Sequence, residues 1–527
     1  MKKQNVVVSI ALATVLLAVP VLGGCSSESY SEVKFPAQDT SYAVTSQGGS
    51  AVSYGNYIYY INGTRGYDDA DGKGNVWNEV VKGGLYRAEL NGKKVSGDGG
   101  AKFESVFDAK GLEFKYTESE DYYGNPVNVV NTVKIAPKTV GVKNYAGGGI
   151  FIYDNYAYFA SPNNQRNAAG NVQTTRTDFF MMPLNGGSPT RVYTSSEGVD
   201  TSGSAYAFYK FDGKVYLVVN ENTDIVSVEI DTAKQKAADP VKYEANATSV
   251  YFPVRETYYN GISTDTPEDF IYFVRNVDDD DKQRAGTVIQ AMRPDGSEKF
   301  IVSENGNTET IEAVRDGVLF YRTTDVLGNT VLAYDNLHEA LMYHSKTYAA
   351  AQNGKSAEDK NVQIDGRFAT NMSSVTTAYA FRPDLKSNVV YFVGGNSSNF
   401  WLYDINGPVQ MLYAGSGTVQ FVKNNFVYVS GSSSDYYRFP LYTNMDDFGQ
   451  SQDLASGTTS AGISCDYVNG YFTYFGKVDQ WADGYTYFSK VDGVQGLEPQ
   501  FIGELASSDK PSEKELEEIK NGTADND

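Results

Sequence analysis

Histidine and cysteine are almost missing from this chain, with two of each among 527 residues. Two cysteines, Cys25 and Cys465, cannot build a disulfide framework. Cys465, in "AGISCDYVNG", reads as a small buried hydrophobe. Both histidines, His338 and His344, fall in "HEALMYH" six positions apart, so they miss the i, i+4 spacing of a zinc-binding H-E-x-x-H helix. Basic runs are missing as well. With 44 Lys and Arg against 65 Asp and Glu the formal charge is −21, which repels a phosphate backbone and argues against nucleic acid as a partner. There is no G-x-S-x-G, no Walker-type loop and no C-x-x-C, and no spacing pairs two carboxylates for acid-base work. The sequence therefore singles out no catalytic residue, no metal ligand and no cofactor.

One long apolar run is present, at the N-terminus. "MKKQNVVVSIALATVLLAVPVLGGCSS" opens with Lys2 and Lys3, continues with an apolar stretch from Val6 to Leu22 and ends in small residues before Cys25. That is the layout of a secretory signal. The stretch is at the lower edge of spanning length, is interrupted by Pro20 and has no basic flank after it, so a permanent transmembrane helix is not expected. Leu22-Gly23-Gly24-Cys25 resembles the lipobox of bacterial lipoproteins. The resemblance implies cleavage before Cys25, a diacylglyceryl group on its thiol and acylation, as by palmitate, of the new amino terminus. At about 0.8 kcal/mol per buried methylene, two or more acyl chains hold a protein stably on a membrane. The expected organisation is a signal peptide over 1–24, a polar tether over 25–41, a folded body over 42–505 and a charged, mostly disordered tail over 506–527. In the tail, Ser512 and Glu515 make a capping box for a short, frayed helix.

What the chain has in abundance is 41 Tyr, 27 Phe and 51 Gly, strand formers mixed with turn formers, so the expected class is all-β. "YGNYIYYING" (54–63) has no polar face: Tyr57, Tyr59 and Ile61 lie on one period-2 side, Ile58 and Tyr60 on the other. Similar stretches recur, centred on Tyr158, Tyr216, Tyr272, Phe320, Tyr391, Tyr428 and Tyr474, most of them opened by Asp, Asn or Gly. A second strand commonly follows, as in "GLYRAELNG" (84–92), "DFFMMPLNGG" (178–187), "TVIQAMRPDG" (287–296) and "GYTYFSKVDG" (484–493), several ending in an Asn-Gly or Asp-Gly turn signal. Eight hairpins of one kind result. Their centres are 37 to 99 residues apart; the shorter intervals match one four-stranded propeller blade and the longer ones need insertions. The 99-residue interval leaves room for a degenerate blade around "AKFESVFDAKGLEFKY" (101–116). The expectation is a single β-propeller of seven to nine blades, with eight favoured, in which each middle strand is covered by the blade before and the blade after.

"NYIYYIN" followed by "GGLYRAELNG" resembles bacterial propeller domains of unknown function that are similar to the YWTD propellers of low-density-lipoprotein receptors. In those, a Tyr-Trp-type strand precedes a Leu-Tyr-Arg strand ending in Asp-Gly. The resemblance covers roughly residues 50 to 500 and is clearest in the first repeat and in "VIQAMRPDG"; the tryptophan of the receptors' motif is absent from every copy. It implies the propeller fold and brings no established activity.

Three interruptions are candidates for chemistry. In "DADGKGNVWNE" (69–79), Asp69, Asp71 and Asn75 occupy positions 1, 3 and 7 of a calcium loop with Gly74 at position 6. Lys73 at position 5 and Val80 in place of the bidentate Glu argue instead for a solvated hairpin insertion. "NVDDDDKQ" (276–283) reads as a solvated charge run, since consecutive side chains of an extended segment point apart. "DNLHEALMYHSKTYAAA" (335–351) predicts a helical insertion with Leu337, Leu341, His344 and Tyr348 along one face. The functional expectation is a lipid-anchored, extracytoplasmic protein whose propeller acts as a binding or scaffolding platform for protein or glycan. The alternatives are a surface glycan-processing enzyme of propeller type and an envelope-assembly scaffold.

Overall fold

The computed structural model describes residues 43–55, 57–61, 149–162, 177–184, 190–195, 206–255, 257–259, 265–277, 286–303, 308–315, 317–324 and 330–352, together with Gly328, Gly470 and the strands lying between Leu85 and Thr132 and between Asp365 and Phe501. These residues form eight antiparallel sheets of four or more strands, which follow one another along the chain over 51–111, 151–194, 206–244, 249–303, 308–367, 375–414, 418–455 and 466–501. Within each sheet, strands pair in chain order from first to fourth. All eight aromatic centres, from Tyr59 to Tyr474, lie in the second strand of a sheet, and the strand predicted to follow each is the third. The degenerate blade considered around 101–116 does not form among the described residues. Gly100–Glu104 pairs with Lys93–Gly97, Lys115–Glu118 pairs with Val129–Thr132, and Ala109–Gly111 is the outer strand of the first sheet.

Turn chemistry explains the Asp, Asn or Gly before the second strands of the second and third sheets. Asp154 and Asn155 have φ of 50° and 64°, and Asp212 and Gly213 have 48° and 74°. Left-handed geometry at both central residues is what a two-residue hairpin matched to strand twist requires, and these residue types tolerate it.

Alternation then divides each strand between two neighbours. In the second sheet Tyr158, Phe179 and Met181 join the core shared with the third sheet, while Ala157, Phe159, Phe180 and Met182 join the core shared with the first. In the fourth, Ile271 and Phe273 face the third sheet, and Tyr272 and Val274 face the fifth. Each fully buried aromatic contributes about 1.5–3 kcal/mol. Tyrosine is favoured because its hydroxyl reaches the next sheet. Tyr54 donates to Asn155 Oδ1 (3.0 Å), Tyr153 to the Phe208 carbonyl (2.9 Å) and Tyr209 to the Pro253 carbonyl (2.9 Å).

The ring closes between the eighth and first sheets. Tyr59 faces the second sheet, and its neighbour Tyr60 meets Phe488 edge-on at 5.1 Å. The first strands of these two sheets, Ala51–Tyr54 and Asp466–Val468, also pack together. Eight successive antiparallel sheets, the last packed on the first, with both faces covered where the core clusters are described, make the chain an all-β propeller.

Two further strands extend the first sheet beyond its inner edge: Ala43–Thr45 pairs with Ala51–Tyr54, and Thr257–Tyr259 pairs with Ala43–Thr45. The turn between Ala43–Thr45 and Ala51–Tyr54 is fastened to the second sheet, where the Gln47 side chain bonds the backbone as a strand would. Its Nε2 donates to the Ile152 carbonyl and its Oε1 accepts from the Ile152 N–H, both at 2.8 Å. Gly48 and Gly49 exchange backbone hydrogen bonds with Ile150, so close that a Cβ on Gly149 would fall 1.9 Å from the Gly48 oxygen.

The helical insertion differs from its prediction. Two helices form, Leu337–His344 and Lys346–Ala351, broken at Ser345, whose hydroxyl accepts from the Tyr348 N–H and caps the second. The break comes directly after His344, which is thus the last residue of the first helix. Leu337, Leu341 and Tyr348 are buried as expected, but His344 is exposed and stacks on Phe300 at 5.0 Å, while His338 is buried and bonded to the Tyr348 hydroxyl at 2.8 Å.

Candidate ligand-binding site

In an antiparallel four-stranded sheet, the turn after the first strand and the turn after the third leave on the same side. The propeller therefore gathers both kinds of turn on one face. On it stand Asp212-Gly213 of the third sheet and, from the fourth, the long insertion 252–270 and the turn Pro294–Lys299; the paired helices follow the third strand of the fifth sheet. Where these meet lies a cavity of about 780 Å³. Phe211 and Tyr258 give it aromatic wall, Ala350 and Ala351 an apolar edge, and Asp212, Asp295, Ser297 and Thr347 polar groups.

Its cations are already matched. Lys210 is paired with Asp154, and Arg255 with Asp269. Burial raises the Asp269 carboxyl above its usual range; Arg255 and the Thr266 N–H, which donates at 2.7 Å, offset this only in part. Burial likewise pushes the Tyr258 hydroxyl up to about 12, with Asp154 adding to the rise and Arg255 opposing it. Tyr258 also meets Tyr153 edge-on at 4.9 Å.

Behind the wall sits Arg293, fully buried between the rings of Phe270 (3.7 Å) and Phe211 (4.8 Å). Its Nη2 donates to Asp265 (2.7 Å) and to the hydroxyls of Ser345 (3.4 Å) and Thr347, and its Nε to Glu298 (3.2 Å). Glu298 in turn accepts from the Ser345 hydroxyl (2.5 Å), the Thr347 hydroxyl (2.8 Å) and the Thr347 N–H (3.1 Å). This network ties the helices to the fourth sheet and fixes that side of the cavity.

Sequence reasoning singles out none of these residues. Arg293 lies inside "VIQAMRPDG", where it is one more position of a repeat, and the cavity combines three sheets that no local spacing joins. One signal is present: Thr266-Pro267-Glu268-Asp269 is a helix-start pattern, and a short turn of helix does form over Pro267–Asp269. Of the sequence candidates, Cys25, Cys465, Asp69, Asp71, Asn75, the four aspartates 278–281 and the tail 506–527 lie outside the described residues. Among the described residues, no three His, Cys, Asp or Glu side chains stand close enough to hold a metal ion, and no helix is long and apolar enough to cross a membrane.

No family model and no curated protein matches the chain. Similar solved structures include the β-propeller domain of the Trilobed protease from Pyrococcus furiosus, at 9% identity over 78% of this chain and 97% of that one, with a TM-score of 0.33. The Dos1 propeller is similar at 10% identity over 87% and 95%, TM-score 0.40. A puromycin hydrolase is similar at 13% identity over 69% of this chain and 54% of the hydrolase, TM-score 0.41. Likenesses of this degree carry nothing about activity.

Proposed function

We propose that this chain is a lipid-anchored, extracytoplasmic protein whose eight blades present the cavity-bearing face as a binding platform. The observation that carries the reading is the cavity itself, built from turns of three successive sheets. Blades supply rigidity and the turns supply chemistry. The ligand chemistry follows from charge. Lys210 and Arg255 already have carboxylate partners, whereas Asp212 and Asp295 line the cavity as acceptors beside Phe211 and Tyr258, Asp295 with its Oδ1 already taking the Ser297 N–H and hydroxyl. Such a wall suits uncharged or cationic polar groups, those of a glycan or of a protein segment, and disfavours anions. The anchor in this reading is acylated Cys25, on the strength of the lipobox resemblance.

A second reading, a glycan-processing enzyme, is favoured by one observation: Asp269 is a buried carboxyl with a raised pKa beside a cavity. Its bonds to Arg255 and Thr266 give it a structural task already, so binding is preferred.

The experiment places a photo-crosslinking residue at Ser297 in the full-length chain in intact cells. A discrete adduct is expected, and Asp212→Asn with Asp295→Asn should remove it. If that pair of changes leaves the adduct untouched, the cavity is not the site. In the same cells Cys25→Ser should appear in the soluble fraction without palmitate label; a labelled, membrane-bound variant would overturn the anchor.

A further inference from the structure

We propose that strand Ala43–Thr45 is a strap that holds one wall of the cavity, so that its seating on the ring sets the shape of the site. The inference rests on the cavity being the binding site. Insertion 252–270 supplies that wall through Arg255 and Tyr258. Its two roots are held without the strap. Tyr209 bonds the Pro253 carbonyl at one root, Tyr272 donates to the Pro267 carbonyl at 2.9 Å at the other, and Arg255 of the first pairs with Asp269 of the second.

The tip, Thr257–Tyr259, is held differently. Among the described residues its one strand partner is Ala43–Thr45, with Ala43 opposite Tyr259, Val44 opposite Tyr258 and Thr45 opposite Thr257. The strap itself is well seated. It pairs on its other edge with Ser53 and Tyr54, Val44 is fully buried in the core between the first two sheets, and the following turn is fastened by Gln47 and by the Ser46 hydroxyl, which donates to the Tyr467 carbonyl at 2.8 Å. In backbone pairing the dependence is therefore one-way, since the strap has the ring and the tip has the strap; beyond that the tip has the Tyr258 ring, which rests on Tyr153 of the second sheet.

Direction adds a consequence. Val44 lies opposite Tyr54, at the end of Ala51–Tyr54 that leads into the Gly55 turn. Ala43 therefore stands at the rim that carries the cavity. A pull on the chain before Ala43 acts first on the Ala43 and Tyr259 pair. Three residues of edge pairing open at a small fraction of the cost of global unfolding, so the tip is the part of the wall that responds.

Hydrogen exchange read by mass spectrometry tests this on the full chain, without any ligand. Val44→Pro should speed exchange over Thr257–Tyr259 by about tenfold or more and leave Gly286–Met292, in the fourth sheet from which the insertion departs, at its original rate. Unchanged exchange at Thr257–Tyr259 in this variant overturns the strap. If the proline unfolds the whole ring, Ala43→Cys with Tyr259→Cys decides. Oxidation of that pair should slow exchange over Thr257–Tyr259 by about tenfold against the reduced form; equal rates in the two forms overturn the strap. A Ser297 adduct that is absent from the parent, or that survives the two aspartate changes, would sink the binding reading and leave this result standing, so the two fail separately.

Discussion

Between the second and third sheets the packing is apolar and centred on aromatic rings: Phe208 meets Tyr158 at 5.2 Å, Phe151 at 5.5 Å, Tyr206 at 6.0 Å and Phe179 at 6.4 Å. Around Pro294–Lys299, where the fourth sheet meets the paired helices, the centre is instead a buried cation with Asp265, Glu298, Ser345 and Thr347 about it. The aromatic junction depends on area, which accumulates without regard to exact direction. The polar junction depends on complementarity, because a buried charge is tolerable only while each partner is in place. Ring integrity is thus assigned to the first kind of contact. The shape of the cavity is assigned to the second, which is easier to alter locally.

The largest expected effect tests the aromatic side. Phe208→Ala removes a fully buried ring from the middle of four others and should cost about 3–5 kcal/mol. In urea the midpoint should fall while the slope with denaturant stays the same. A loss below about 1 kcal/mol would mean that the aromatic junction is loosely packed and the contrast is false.

Next is Arg293→Met, which leaves Asp265 and Glu298 without their counter-ion and should cost about 3 kcal/mol. Adding Asp265→Asn and Glu298→Gln should recover most of that, since the uncompensated charges are then gone. No comparable rescue exists for Phe208→Ala. If the triple variant is as unstable as the single one, the junction is held by the shape of the arginine between Phe211 and Phe270 and not by charge matching.

The same contrast explains what sequence can reveal. Second and third strands are legible in all eight sheets because left-handed turn residues and two-faced aromatic strands repeat, and repetition is what a sequence shows best. Ala43–Thr45 and Thr257–Tyr259 are three residues each and, among the described residues, pair only with one another and the edge of the first sheet, so no periodicity marks them. His344 keeps the phase of Leu337 and Leu341 but is the last residue of its helix and is exposed there; the stop comes from Ser345, a residue that favours helix starts yet is tolerated inside one, so the pattern alone does not mark it. Arg293 is hidden for the opposite reason. It matches the repeat, and the pairing that gives it a special role comes from Asp265 and from Ser345 and Thr347, which are 28 or more residues away along the chain.

The smallest effect separates two carboxyl groups on the polar side. Burial pushes Glu298 up, but the hydroxyls of Ser345 and Thr347, the Thr347 N–H and Arg293 outweigh it, so its carboxyl titrates below the ordinary glutamate value. Its stabilisation is complete above that ordinary value, about 4.3, and is lost as the pH falls through the lower folded value. Asp269 has the opposite sign. Its folded carboxyl lies above the ordinary aspartate value, so the folded state binds the proton more tightly; a cost present at neutral pH fades as the pH falls through the raised value and is gone below about 3.9. Acidification from about pH 6 to pH 3 therefore weakens the Glu298 contribution and relieves the Asp269 one. Glu298→Gln should make stability fall less steeply with acid than in the parent. Asp269→Asn should make it fall more steeply, whatever its absolute cost to Arg255, which does not titrate in this range. Urea midpoints measured across that window supply both slopes. Two variants bending the same way would mean that the two carboxyls share one environment, and that the cavity wall and the network behind it are not the separate structures described.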